Sequence, residues 1–229
     1  MTADPRRTAL VAGLFYVLTF VSIPTVALYR PARDPGFLRG TTPDAPVVLG
    51  GILEVIVALA CVGTAVVLYP VVKRQGPARA LGFVGARVVE CTAILVGVAS
   101  ILTLVAVRRS GGAPDGAGPA LIAFYDAVFL LSQSLIPAVN AVLLGSLLYQ
   151  SRLVPRVLPL LGLAGAPLLV AADLGVLFGA WDRLSPVTVV GALPIAVWEF
   201  SLGVYLIVKG FRPSPVTADA AGLPQGTVA

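Results

Sequence analysis

Residues 47–72 read VVLGGILEVIVALACVGTAVVLYPVV, an apolar run in which Glu54 is the single charged residue. A helix that crosses the hydrocarbon core of a bilayer needs about 20 such residues, so this run is long enough. Five other segments have a similar length and composition. The predicted spans are residues 8–29, 47–72, 79–107, 120–150, 157–180 and 186–208. The sequence therefore predicts an all-α fold, a polytopic membrane bundle of six transmembrane helices.

The composition excludes most soluble classes of protein. Of the 229 residues, 58% are apolar and 12% are charged, whereas about a quarter of a soluble domain is charged. A soluble enzyme, a nucleic-acid binder and a disordered protein are therefore not expected. The chain has no His, which excludes His-based catalytic triads and His-ligated zinc or haem. We predict no metal and no cofactor, and we interpret Cys61 and Cys91, which lie inside apolar runs, as packing residues.

The loops between the spans carry an orientation signal. Nine Lys and Arg lie at the N-terminus, in loops 73–79 and 151–156 and in the C-terminal tail, against six on the opposite side. This excess predicts that both termini are cytoplasmic in a bacterial plasma membrane. Residues 1–212 are predicted to form a single transmembrane domain, and the Ala-, Gly- and Pro-rich tail 213–229 is predicted to be disordered. The oligomeric state is left open.

Several charged residues lie well inside the predicted spans, where each costs about 2.5–3.5 kcal/mol unless it faces a partner or water. They are Glu54, Arg87, Glu90, Asp126, Asp173 and Glu199. This pattern predicts a shared polar interior. Arg87 is the single cation of the set, so we predict that it contacts Glu90, three residues along the same helix face, and also Glu199 or Glu54. The alternative is that these ion pairs only lock the helices together, or that Asp173 only reaches the membrane surface.

The fourth span carries a polar stripe. Asp126, Gln133, Pro137 and Asn140 fall within about 60° of arc at 100° per residue. Pro137 is predicted to kink this span. Such a stripe favours a central cavity, although hydrogen bonding between helices is an alternative explanation.

The embedded acids are candidate proton donors. A carboxyl group buried without a cation tends to be neutral, which suits a general acid. Asp126 has no cation in its own segment and has aromatic neighbours, so we predict it as the first-choice acid, with Glu54 as its partner or base. Glu90 and Glu199 are further catalytic candidates. The predicted substrate-binding residues are Arg87, Phe124, Tyr125, Phe129, Gln133, Asn140, Asp173 and Trp198.

The chain also resembles, over nearly its whole length, a family of six-helix bacterial membrane proteins catalogued as a domain of unknown function. The resemblance rests on Gly51-Ile52-Leu53-Glu54, Leu68-Tyr69-Pro70, the run 82–87 with Glu90, Asp126, the run 151–156, Glu199 and Lys209-Gly210-Phe211. It implies the topology described above and no established activity. Membrane-integral terpene cyclases, which also use embedded carboxylic acids, offer an analogy of design without a motif match.

Three functions are compatible with these features. The favoured one is an intramembrane enzyme that cyclises or isomerises a prenylated or terpenoid, lipid-soluble substrate by acid catalysis. A small proton-coupled transporter is the second, although the lack of an internal repeat and of obvious broken helices counts against it. The third is an accessory protein whose charges only fix helix packing. The expected partners are the lipid-soluble substrate and membrane lipids.

Overall fold

The computed structural model describes residues 4–111 and 116–214, and no strand occurs in these ranges. Within them, six helical segments are long and apolar enough to cross a membrane: Pro5–Leu28, Ala45–Val72, Pro77–Ser110, Ala117–Ser151, Val157–Leu177 and Pro186–Val208. The all-α membrane fold is confirmed, and each end lies within three residues of its prediction, as with Pro5 against residue 8. Residues 215–229 of the predicted disordered tail lie outside the described residues.

Two of the six spans contain more than one helical element. The α-helices are α1 (Pro5–Leu18), α2 (Thr25–Leu28), α3 (Ala45–Val72), α4 (Pro77–Ser110), α5 (Ala117–Phe129), α6 (Ile136–Ser151), α7 (Val157–Leu177) and α8 (Pro186–Val208). A 3₁₀ turn, Thr19–Ser22, separates α1 from α2, and a π-helical segment, Leu130–Leu135, joins α5 to α6. Short 3₁₀ turns at Pro31–Arg33 and Phe37–Arg39 shape the long loop before α3.

The spans pack in a closed ring. Each span contacts the next along the chain, because short loops make consecutive helices antiparallel neighbours. The ring closes where α8 packs against α1. One end of the ring, which we call the basic end, holds residues 5, 72–77, 151–157 and 208. The other, the loop end, holds residues 28–45, 110–117 and 177–186.

The helix of the first span is broken, although the sequence showed no obvious broken helix. Side-chain hydroxyl groups replace the backbone N–H donors that are missing at the break. Thr19 donates to the Tyr16 carbonyl, Ser22 to the Thr19 carbonyl and Thr25 to the Ser22 carbonyl, at 2.7–3.3 Å. Pro24 has no N–H to continue the helix. Irregular backbone at membrane depth is tolerated where it lines a cavity, so the break indicates a cavity beside residues 19–24.

The fourth span accommodates Pro137 by changing its helical register. Pro137 is the second residue of α6 and cannot donate to the carbonyl one turn before it. The preceding Leu130–Leu135 segment adopts the wider π-helical form, and Ser132 donates to the Val128 carbonyl at 2.8 Å. Such segments inside α-helices occur frequently at functional sites. Here the segment carries Gln133 and Ser134, which are both polar.

The contact between α1 and α8 depends on glycine, which gives a testable prediction. A Cβ atom at Gly13 would lie 2.6 Å from the carbonyl oxygen of Gly203 and 2.9 Å from the backbone nitrogen of Ile207, and backbone atoms cannot move aside. We expect Gly13→Ala to destabilise the fold by about 1–3 kcal/mol through overpacking. Thermal unfolding in detergent measures this effect.

Gly85→Ala is the matched control, because a Cβ atom there would meet nothing within 4 Å. Alanine is favoured over glycine inside a helix by up to about 1 kcal/mol. Gly85→Ala should therefore melt at or above the wild-type temperature. Equal melting temperatures for the two variants would contradict the close packing of α1 against α8.

Candidate functional site

A cavity of about 490 Å³ lies at the centre of the ring. Its wall comes from the broken segment of the first span, from α3, α4 and α7, from the π-helical segment with its flanking residues, and from the first half of α8. Ile23, Val26, Val189 and Leu193 line it and are also more than half exposed on the outside of the bundle. The cavity therefore opens sideways, between apolar side chains of the first and last spans, which is the surface that faces lipid.

Three charged side chains form one wall of this cavity. The Arg87 guanidinium donates from Nη1 to Glu90 Oε2 at 3.0 Å and from Nη2 to Glu199 Oε1 at 2.9 Å. We call these three residues the central triad. The predicted pairing of Arg87 with Glu90 and a carboxylate from another helix is confirmed, and Glu199 is that carboxylate. Arg87 is buried, whereas the Glu199 side chain is 13% exposed and faces the cavity.

Neighbouring side chains hold the central triad in place. Tyr16 and Phe83 lie on either side of Arg87, with ring centroids 5.4 and 5.6 Å from the guanidinium carbon. Arg87 Nη1 also contacts Cys61 Sγ at 3.5 Å, and Asn140 Nδ2 donates to Glu90 Oε2 at 2.8 Å. The cation is thus fixed by rings and by hydrogen bonds, and Asn140 supports the triad rather than lining the cavity.

The charges of the central triad do not balance. Two carboxylates face one guanidinium, so the cluster has a net charge of −1 when all three groups are ionised. An unbalanced charge is costly away from water. The central triad therefore has room for one proton, or for one positive charge on a bound molecule.

Glu54 forms a second polar cluster, which has no cation. Its carboxyl group is fully buried and accepts hydrogen bonds from Tyr29 Oη at 3.1 Å, Tyr125 Oη at 2.6 Å and Gln133 Nε2 at 3.3 Å. Gln133 lines the central cavity, but Glu54 and Tyr125 lie behind it. The hydrogen bond from Gln133 therefore connects Glu54 to the cavity wall.

Asp173 is also buried without a cation, and does not reach the membrane surface as the alternative interpretation held. Its Oδ1 accepts a hydrogen bond from Ser134 Oγ at 2.6 Å, and its Oδ2 has no partner among the described residues. Ser134 lines the cavity, so Asp173 lies directly behind the cavity wall. Trp198 is buried behind the wall as well, packed against Gly162, with its Nε1 unpartnered in the described part of the chain.

Asp126 does not face the central cavity. Arg33 donates from Nη1 and Nη2 to its two carboxylate oxygens at 2.8 and 2.6 Å, and Arg183 Nη2 lies 3.4 Å from Oδ1. Asp126 has no cation in its own segment, as predicted, but two cations from loops reach it, which removes the reason for choosing it as the first acid. Asp126 is one carboxylate held by two guanidinium groups, whereas in the central triad two carboxylates share one. Charge-assisted hydrogen bonds to two cations make Asp126 a poor proton donor. Asp126 instead lines a separate cavity of about 410 Å³ at the loop end.

Phe124 does not line the cavity either, although it was predicted to bind substrate. Its side chain is 50% exposed on the outside of the bundle, because adjacent helical residues point in different directions. Phe129, which lies further along the same span, does line the central cavity, and Arg183 stacks on its ring at 4.3 Å. Of the predicted aromatic contacts, Phe129 is the one that reaches the cavity directly.

Ion pairs outside the spans connect the loops of the loop end. The hydrogen bonds that Arg33 donates to the Asp126 carboxylate raise the pKa of the Arg33 guanidinium. Arg109 Nε donates to Asp44 at 2.8 Å and lowers the pKa of that carboxyl. These pairs tie residues 30–44 to α4 and α5. They close the loop end over the bundle without contributing to the central cavity.

A family model described as a domain of unknown function (DUF4386) matches residues 11–210. The chain belongs to the DUF4386 family. No curated protein and no solved structure matches it. The matched range contains the central triad, Glu54 with its three donors, and Asp173, so both polar clusters lie within the DUF4386 domain.

The polar groups in and behind the central cavity are carboxyl, phenol, amide, hydroxyl and guanidinium groups. In residues 4–111 and 116–214, no group of three or more His, Cys, Asp or Glu side chains is placed to hold a metal ion. Tyr16, Tyr29 and Ser134 belong to the polar clusters although the sequence pattern did not single them out. Two of them lie on the first span, on either side of its break.

Proposed function

We propose that this membrane protein is an intramembrane enzyme that isomerises or cyclises a prenylated or terpenoid, lipid-soluble substrate by acid catalysis. The observation that supports it best is the position of Glu199, a partly exposed carboxyl group on the wall of a cavity that opens to lipid. The cavity volume, about 490 Å³, is within the roughly 300–1,000 Å³ typical of small-molecule sites.

The sideways opening favours a substrate that arrives through the bilayer. Ile23 and Val26 on one side, and Val189 and Leu193 on the other, offer an apolar path from lipid to the cavity. An isoprenoid chain remains in apolar surroundings along that path. A strongly hydrated substrate would lose its water there without replacement, so we expect it to be excluded.

The reaction needs no oxidant, reductant or cofactor. Glu199, carrying the proton for which the central triad has room, transfers it to one carbon of a C=C bond, and a tertiary carbocation forms at the other carbon. Loss of a proton from a neighbouring carbon to the Glu199 carboxylate then regenerates the acid and gives an isomerised alkene. If a second C=C bond attacks the cation first, the product is cyclic. Arg87, which Glu90 holds in place, donates a hydrogen bond to Glu199 and positions it.

A pair of tryptophan variants tests this proposal. Ala196 lines the cavity, whereas its neighbour Val197 is 43% exposed outside it. We expect Ala196→Trp to abolish turnover of the active member of a set of isoprenoids (farnesol, geranylgeraniol and squalene) in proteoliposomes, with products identified by mass spectrometry. Val197→Trp should keep wild-type turnover. Wild-type protein that converts none of the set, or equal turnover in the two variants, would contradict the proposal.

A proton-coupled transporter is the second candidate, and the break in the first span favours it. Discontinuous helices are typical of transporter binding sites, and the broken segment Thr19–Ser22 lies on the cavity wall. Substrate-dependent proton uptake into protein-containing vesicles, without any chemical change of the substrate, would support transport over catalysis. If the protein shows neither turnover nor proton uptake, the remaining explanation of the charges is an accessory role in helix packing.

We also propose a bacterial plasma-membrane location with both termini in the cytoplasm, on the basis of the excess of Lys and Arg at the basic end. Fusion of alkaline phosphatase, which is active outside the cytoplasm, to the C-terminus should give no activity. The same fusion within loop 30–44 should be active. The reverse pattern would overturn the orientation and leave the fold as described.

A further inference from the structure

The central cavity is surrounded by more acids than bases. Glu90 and Glu199 are on its wall, Glu54 lies behind Gln133, and Asp173 lies behind Ser134. Among the residues that line the cavity itself, two carboxyl groups, those of Glu90 and Glu199, face one guanidinium, that of Arg87. Arg183 is held at the loop end by Asp126 and Phe129. In apolar surroundings, where charges interact strongly, this excess favours a positively charged occupant and opposes a negatively charged one.

A buried carboxylate oxygen without a partner strengthens the argument. Asp173 is fully buried, and its Oδ2 makes no hydrogen bond with the described residues. Asp173 lies behind Ser134 and is not itself part of the cavity wall, so an occupant acts on it through space. A positive charge near Ser134 would stabilise the Asp173 carboxylate electrostatically, whereas an anion would not.

The cavity wall also carries aromatic rings. Phe20 lines it and packs in a T-shaped arrangement with Phe200, with ring centroids 5.3 Å apart. Phe129 lines it as well, with the Arg183 guanidinium stacked on one face of its ring. The face of an aromatic ring attracts a cation, and the attraction is stronger where water is excluded. Carboxyl groups and rings together suit a bulky organic cation whose charge is spread under apolar groups.

We infer that the cavity is a binding site for lipophilic cations, meaning organic ammonium or phosphonium ions that enter from the bilayer, and that it selects them over anions of the same shape. This inference uses the same cavity as the proposed enzyme but not its chemistry. If the enzyme proposal also holds, such ions imitate the carbocation and inhibit turnover.

Tetraphenylphosphonium and tetraphenylborate test this inference, because they have the same shape and opposite charges. Binding of each to the full chain in lipid nanodiscs is measured by equilibrium dialysis, with empty nanodiscs subtracted. We expect the Kd for tetraphenylphosphonium to be at least tenfold lower than that for tetraphenylborate. Glu199→Gln should raise the Kd for the cation at least tenfold, and Glu199→Asp, which keeps the charge, should largely restore it.

Two controls separate charge from folding and from space. Asp126→Asn removes a carboxylate outside the cavity and should leave the Kd unchanged. Ala196→Trp should abolish binding, whereas Val197→Trp should not. Equal affinity for the two ions, no binding above empty nanodiscs, or a Kd unaffected by Glu199→Gln would overturn the inference. Cation binding without turnover of any isoprenoid would instead contradict the enzyme proposal alone.

Discussion

Arg87→Leu is expected to prevent the accumulation of folded protein. Arg87 is 1% exposed and is paired with Glu90 and Glu199, so its removal leaves two carboxyl groups inside the bundle without a cation. Breaking a buried pair by removing one partner costs about 3–5 kcal/mol. Whole domains are stable by only about 5–15 kcal/mol, so this loss is a large part of the total. Fluorescence-detected size exclusion in detergent, followed by a melting curve, measures it.

A compensated variant separates the lost charge from the lost volume. In Arg87→Leu combined with Glu90→Gln and Glu199→Gln, no unpaired carboxylate remains in the central triad, so much of the stability should return. Arg33→Leu breaks a more exposed ion pair, with Asp126, and a pair of that kind contributes about 0.2–1 kcal/mol. If Arg87→Leu alone melted at the wild-type temperature, the central triad would not be a stabilising cluster.

The six spans could be predicted from the sequence because a bilayer imposes a simple rule. Each span must be apolar over a fixed length, and short polar loops must separate the spans. The pairing of Arg87 was predictable for a related reason. It is the single cation inside the spans, and a charge at that depth requires a partner. Glu90 was identified by helical spacing, and Glu199 remained one of two choices.

The break in the first span could not be predicted in the same way. Tyr16 and Tyr29 are thirteen positions apart, which on a continuous helix places them roughly 220° apart around the axis at 100° per residue. Periodicity therefore assigns them to different faces. The 3₁₀ turn and Pro24 change the direction of the chain, so that Tyr16 reaches Arg87 and Tyr29 reaches Glu54. Ser22 and Pro24 could be recognised as helix-breaking residues, but the sequence did not show which side chains the break brings to Arg87 and Glu54.

Asp126 shows a different limit of sequence reasoning. No cation lies near it in its own span. Its partners Arg33 and Arg183 come from two different loops, both at the loop end. Helical spacing describes neighbours on one helix and contains no information on where a loop side chain points. The donors to Glu54 come from the fourth span, which carries Tyr125 and Gln133, and from Tyr29 after the first span. Helical spacing alone therefore did not predict that they meet at Glu54.

Loss of turnover in Glu199→Gln is the second large effect we expect. Glutamine keeps the shape of the side chain and its hydrogen bond from Arg87 but has no proton to give to an alkene. Removal of a general acid costs typically 10²- to 10⁴-fold in rate, so turnover of the active isoprenoid should fall by about that factor. The assay uses proteoliposomes with matched protein amounts, and the melting temperature of each variant is measured beside it.

Asp126→Asn is the informative control for this experiment, because the sequence pattern and the structure assign it different roles. If Asp126 were the proton donor, its amide variant would lose turnover and Glu199→Gln would keep it. Since Asp126 is paired with Arg33 outside the cavity, we expect Asp126→Asn to keep most of the wild-type turnover. A loss in both variants at unchanged melting temperature would mean that the cavity at the loop end takes part in the reaction. Full turnover in Glu199→Gln would remove Glu199 as the acid and leave Glu90, the other carboxyl group of the central triad, as the donor to test next.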